Sequence, residues 1–297
     1  EMYPVNPISK ETAGRSEETL GEWIAKTGRR DDVIIATKIT GEGQKAVRDG
    51  AEITSATIRD AVAGSLKRLQ TDVIDIYQLH WPNRGSFHFR QNWHFNPTKQ
   101  DTDEIRDHMV DALQELQRQV EAGRIRHIGL SNESTWGTAQ WLRLSEEMRL
   151  PRVQTIQNEY SLLCRHYDTD LAELTHHENV DLLAFSPMAA GLLTGKYQNG
   201  AVPDGSRKSL NPALGGRVTD RVWPAVDAYL AVAQRHGLDP AQMALAWTLT
   251  RPFMGSSIFG ATTMEQLKTA LGAADLVLSE EVMKDISEAH KAHPMPY

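Results

Sequence analysis

Val73-Ile74-Asp75-Ile76-Tyr77-Gln78-Leu79-His80, together with Val33-Ile34-Ile35-Ala36-Thr37-Lys38 upstream of it, decides how this chain is read. Both runs are short, apolar and rich in β-branched residues, without the strict alternation of a half-exposed strand. They therefore predict strands covered on both faces. Each run also ends on a side chain that can hold or move a proton. In parallel α/β barrels the carboxyl ends of the strands face the mouth where chemistry takes place, which makes Lys38 and His80 candidates for one site. Each has an ordinary alternative: a lysine head snorkelling to water, or a hydrogen-bonded core histidine.

Outward from these runs, further strands are predicted at about 125–131, 154–160, 180–186 and 256–260, six in all. Between them the helical period is clear. Ile58, Val62, Leu66 and Leu69 follow a Thr54-Ser55 start; Ile105, Met109, Leu113, Leu116 and Val120 follow Asp101-Thr102-Asp103 and stop at Gly123. Other helices are expected near 17–28, 136–148, 168–177, 223–236, 240–250, 264–273 and 280–291. Alternating strands and helices imply a parallel sheet with right-handed crossovers, and a closed eight-stranded α/β barrel accounts for the length as a single domain, 1–297. The chain opens on Glu1-Met2-Tyr3-Pro4 without a sheltering element, so two strands and a helix are expected ahead of Glu1.

Two connections, Trp81 to Thr102 and Met188 to Val222, exceed a plain crossover, and both follow strand carboxyl ends. Long ordered loops at that face hold substrate or cofactor. The first carries Phe87, Phe89, Trp93 and Phe95, to be read either as a substrate wall or as a folded-back satellite core.

Composition excludes several classes. A net charge of -7 spread over 32 basic and 39 acidic residues leaves no basic stripe for nucleic acid. The single Cys164 excludes an intramolecular disulfide and a multi-cysteine zinc site. No metal constellation stands out, and His176-His177, Asp31-Asp32 and Glu280-Glu281 read as ordinary surface features. With no apolar run of membrane-spanning length and no secretory segment at the start, a soluble, cytoplasmic protein is expected.

A set of blocks then becomes recognisable in order along the chain. They are Glu1-Met2-Tyr3, Ala36-Thr37-Lys38, Tyr77-Gln78-Leu79-His80-Trp81-Pro82, Gly123-Arg124 through Ser131-Asn132, Gln157-Asn158, Ser186-Pro187 through Lys196-Tyr197, and Gly260-Ala261-Thr262. Together they resemble the aldo-keto reductase superfamily, most closely its bacterial Tas-type NADP(H)-linked reductases, and are similar to the voltage-gated potassium channel β-subunits. The resemblance implies a (β/α)8 TIM barrel. It also implies a catalytic aspartate, tyrosine, lysine and histidine, of which three fall on Tyr3, Lys38 and His80; the aspartate would lie five positions before Tyr3.

The need for such a set follows from the chemistry. Hydride arriving at a carbonyl carbon leaves charge on the oxygen, which must be protonated or held by donors. A phenol of pKa near 10 is a reluctant acid at neutral pH, and a nearby ammonium eases its proton away. Tyr3 is accordingly expected as general acid, Lys38 as its cation, and His80 as a neutral donor orienting the carbonyl. The channel β-subunits carry asparagine at the position of His80.

By the same resemblance Ser131, Asn132 and Gln157 bond the nicotinamide carboxamide and Phe185 stacks on the ring. Ser186, Pro187, Met188, Ala189, Gly191 and Leu192 let a pyrophosphate approach, with Lys196 and Arg207 as charge partners. Gly260, Thr262 and Gln266 take the adenosine 2'-phosphate at a helix N-terminus. Each has a plainer reading as cap, turn or core. The expected function is NADPH-dependent reduction of a small aldehyde or ketone. The alternative is a nicotinamide-binding redox sensor or partner subunit with little turnover.

Overall fold

Thr54, Asp101 and Ser134 each accept at a side-chain oxygen the backbone N–H of the second or third residue of the helix that follows, and so fix where three helices start. The computed structural model describes residues 1–4 and 8–297. It divides the chain into two units, Glu1–Ile156 and Gln157–Tyr297, each with its own dense contacts.

The first unit runs α1 (Arg15–Thr27), β1 (Ala36–Ile39), α2 (Ser55–Leu69), β2 (Ile74–Leu79), α3 (Thr102–Glu121), β3 (Ile125–Ser131) and α4 (Thr135–Met148), and leads into β4 (Val153–Gln157). β1 pairs parallel with β2, and β2 with β3. Lys38 lies opposite Gln78, and Leu79 opposite Leu130. Ile58, Val62, Leu69, Leu113, Leu116, Ile74 and Ile125 are all but fully buried between helices and sheet, at about 1.5–3 kcal/mol each. At the amino ends of the strands the buried Asp75 carboxylate takes the Ile35 N–H (2.7 Å) and Arg30 (2.8 Å), and is also bonded by Arg126.

The second unit runs α5 (Leu171–Glu178), β5 (Asp181–Phe185), α6 (Arg207–Leu210), α7 (Val222–Arg235), α8 (Pro240–Leu249), β6 (Met254–Ile258), α9 (Met264–Gly272) and α10 (Glu280–Ala292). β5 and β6 pair in parallel. Alternation of parallel strands with helices is thus the α/β class expected from the sequence.

Several boundaries differ by a few residues from those read in the sequence, and two of them have a visible cause. The first strand starts at Ala36, because the Ile35 N–H is taken by the Asp75 side chain, and Ile34 is 78% exposed. The helix expected from 168 starts at Leu171 instead. Asp168 accepts bonds from Tyr160, Arg165 and Arg251, so its carboxylate is not available to cap a helix.

Candidate active site

The segment bearing Tyr3 is held at the carboxyl end of β1. The Glu1 N–H donates to the Lys38 carbonyl (2.9 Å), and the Glu1 carboxylate accepts from the Thr40 N–H (2.7 Å) and from Arg48 (3.0 and 3.1 Å). Met2 is buried, and the Tyr3 carbonyl accepts from the Ser16 N–H. The neighbouring strand contributes His80, whose N–H donates to the Ile39 carbonyl one step beyond the β1–β2 ladder.

These anchors bring three expected residues together. The Tyr3 hydroxyl is 3.2 Å from His80 Nε2, and Lys38 Nζ lies 5.5 Å from the centre of the Tyr3 ring. Tyr3 is 38% exposed and His80 only 5%, so the phenol is reachable from solvent over a dry imidazole. Burial lowers the Lys38 ammonium to about 8, with the Glu17 carboxylate pulling the other way. Burial, then the Lys38 cation, holds the His80 imidazole well below 6.5, so it is neutral at pH 7. Among the described residues no carboxylate lies within ion-pair distance of Lys38 Nζ; Glu17 is engaged by the Thr37 hydroxyl (2.5 Å) and Arg68 (2.7 Å).

Behind His80 stands Trp81, its ring 4.7 Å away and its Nε1–H donated to the Glu42 carbonyl (3.1 Å). Gly41 makes room for it: a Cβ there would sit 2.2 Å from the indole nitrogen. Phe89 meets Trp81 edge-on at 5.9 Å, while Trp93 and Phe95 are exposed. Phe87, by contrast, is half-buried and stacks on His88 at 4.4 Å, so the loop has a packed part and an open part.

At the end of β3, Asn132 sits in the left-handed region (φ 50°) and is buried. Its Nδ2 donates to the His80 carbonyl (3.0 Å) and the Ser131 hydroxyl (3.1 Å), and its Oδ1 has no partner among the described residues. An arrangement that the sequence reading missed fixes this corner. The buried Glu133 carboxylate is gripped by both arms of Arg84, takes the Ser134 N–H (2.6 Å), and accepts from Trp141 Nε1 (3.3 Å). Ser86 Oγ donates to the Asn132 carbonyl and Gln100 Nε2 to the Arg84 carbonyl, so the 81–101 loop is stitched to the β3 end. The one signal in the sequence was a carboxylate directly after Ser131-Asn132.

In the second unit Gln157 and Asn158 are buried, and the Asn158 carbonyl accepts the Phe185 N–H (3.0 Å). Ser186, Ala189 and Ala190 follow with positive φ, and Gly191 with φ 95°, so the 186–195 chain coils tightly. A Cβ on Gly191 would come within 3.2 Å of Lys196 Nζ, which lies back over this backbone. Pro187, Ala189 and Leu192 are buried, while Met188 packs with Phe259 on Leu245, Ala270 and Ala273. Gly260, Thr262 and Gln266 are exposed, and the Gln266 carboxamide oxygen accepts from the Thr262 N–H (2.9 Å) and hydroxyl (3.1 Å).

Arg207 is exposed on the short helix α6. Arg217, which the sequence did not single out, is buried. It bonds Glu159 (2.7 Å), the Leu214 carbonyl (2.8 Å) and the Ser186 hydroxyl (3.3 Å).

A phenol and a neighbouring ammonium thus meet a neutral imidazole at adjacent strand ends, and a tight glycine loop follows a later strand. The aldo/keto reductase family model matches residues 1–291. This chain belongs to the aldo/keto reductase family.

The chain is 44% identical to Protein tas of Escherichia coli over its whole length and 85% of that protein. It is 34% identical to an aldo-keto reductase of Babesia bovis over 87% of this chain and 95% of that one. A probable voltage-gated potassium channel subunit beta of Arabidopsis thaliana is 29% identical over 95% of this chain and 81% of that protein. As an aldo/keto reductase the chain is an oxidoreductase of a (β/α)8-barrel family whose members use nicotinamide dinucleotides on small carbonyl compounds. Among the described residues no helix is long and apolar enough to cross a membrane, and no group of three or more His, Cys, Asp or Glu could hold a metal ion.

Proposed function

We propose that this protein reduces an aldehyde or ketone to the alcohol with NADPH, as a single barrel domain acting in the cytoplasm, and that Tyr3 is the proton donor. The observation that carries the reading is the Tyr3 hydroxyl 3.2 Å from His80 Nε2, with the Lys38 ammonium beside the same ring.

NADPH, when bound, supplies the hydride. Tyr3 Oη–H gives its proton to the developing alkoxide, and Lys38 stabilises the phenolate left behind. His80 is neutral, and its Nδ1 is buried without a partner among the described residues. A bare lone pair there costs less than a stranded N–H, which favours the proton on Nε2, where it can be donated to the carbonyl oxygen.

The residues present suit the cofactor. The unpartnered Asn132 Oδ1 is an acceptor suited to a carboxamide N–H, and Ser131 and Gln157 are the other candidates for that group. Phe185 is the candidate to stack on the ring. The loop formed by Ser186, Pro187, Met188, Ala189, Gly191 and Leu192, with Lys196 and Arg207, is assigned to the pyrophosphate. Gly260, Thr262 and Gln266 at the start of α9 are assigned to the 2'-phosphate.

Mixing the full-length protein with NADPH and simple aldehydes should consume the reduced nicotinamide absorbance in proportion to alcohol formed. Tight NADPH binding with no turnover on any carbonyl would instead favour a redox-sensing partner subunit, the reading that the likeness to the plant channel subunit supports.

A further inference from the structure

The first unit holds a pocket of about 310 Å³ that the proton-transfer residues do not use. Strand parity shows which side it is on. Leu79 and Leu130 are register partners, and each directly precedes a residue of the candidate site, His80 and Ser131. Successive side chains leave opposite faces of a strand, so Leu79 and Leu130 face away from Tyr3, toward the helices. There they meet Ile105, Met109 and Ala112 of α3 and Trp141 of α4. Trp81 and Ser131 are shared with the candidate site: both line the pocket, and the Trp81 ring lies tilted 4.7 Å from that of His80.

We propose that this pocket is a second ligand site, and that it takes a small apolar molecule bearing a protonated amine. Its volume is at the lower end of what small-molecule sites occupy, and an apolar floor with a few polar groups at the rim is their usual make-up. The sign of the ligand's charge comes from bookkeeping at the rim. Arg84 is neutralised by Glu133, and Asp101 spends its carboxylate on the N–H groups of Asp103 and Glu104. Glu42, Glu52 and Glu104 remain against Lys99, with the half-buried His108 between them. Two indoles, Trp81 and Trp141, line the same space, and aromatic walls favour a cation. An anion would meet an excess of carboxylates, and a plain hydrocarbon would use the floor but nothing at the rim.

The proposal does not depend on the reductase reading, because its test reads heat and not turnover. Full-length protein is titrated with phenethylamine, propylbenzene and phenylpropionate in a calorimeter, at modest salt because the rim carboxylates are exposed. Phenethylamine should bind at one site about tenfold more tightly than either of the others. Ala112→Leu should abolish that binding by filling the floor; Glu104→Gln, on the open face of α3, should weaken it about two- to threefold without disturbing the fold. Tyr3→Phe should leave it unchanged. Absence of binding, equal binding of phenylpropionate, or loss of the amine in the Tyr3 variant would each overturn the proposal, the last by moving the ligand to the reaction site.

Discussion

His80 and Thr262 both follow strands, yet they stand in opposite surroundings. His80 is buried against Trp81 and within reach of Tyr3, while Thr262 lies in an open turn held by the Gln266 carboxamide. The difference teaches where each kind of work can be done. Removing water moves protonation equilibria, as it does for His80 and Lys38, and that is what a proton donor needs from its neighbours. An open turn leaves its groups hydrated and offers only geometry and N–H direction, which suits binding a charged end of a cofactor.

This contrast can be broken by substitution. Tyr3→Phe should have the largest effect, lowering the turnover rate by about 10²–10⁴-fold while NADPH binding, followed by fluorescence titration, is unchanged. A variant that kept turnover would show that the dry corner does not supply the proton.

Glu133→Ala should come next, as a loss of stability. It strands the buried Arg84 guanidinium and should cost about 3–5 kcal/mol in a urea titration. If the midpoint barely moves, the stitch between the 81–101 loop and the β3 end is not what holds Asn132 in place.

Thr263→Ala removes the N-cap oxygen that accepts the Gln266 N–H (3.2 Å) and should cost about 1 kcal/mol by the same measurement. Gln266→Ala should have the smallest effect, raising the KM for NADPH a few-fold with kcat unchanged, since an exposed hydrogen bond contributes about 0.5–1.5 kcal/mol. A fall in kcat there would blur the division between the two regions.

What could be read from the sequence was what local chemistry dictates. The helices starting after Thr54 and Asp101 have their caps written beside them, and the strand from Ile125 to Ser131 has the expected bounds. Lys38 and His80 could be brought to one place because parallel strands in register align their carboxyl ends. The rest depended on partners far apart in the chain.

Arg84 meets Glu133 across 49 residues, and Arg217 meets Glu159 across 58; neither residue type announces its partner. The same holds at Ile35, whose N–H is claimed by a side chain 40 residues away, so that an apolar run which looks like strand stays outside it. Glu1 was read as part of a family block, yet its carboxylate has a structural task that no pattern shows, tying Thr40 and Arg48 to the segment that carries Tyr3.

The central claim is that the Lys38 ammonium keeps Tyr3 competent as an acid, and the pH dependence of aldehyde reduction at saturating NADPH tests it most directly. A buried ammonium titrating at about 8 is charged below that pH and neutral above it, so the rate should hold through neutrality and fall as pH rises past about 8, with the fall displaced upward in Lys38→Arg. A rate that stays level up to the ordinary lysine value of about 10.4, or a profile that Lys38→Arg leaves in place, would contradict the account.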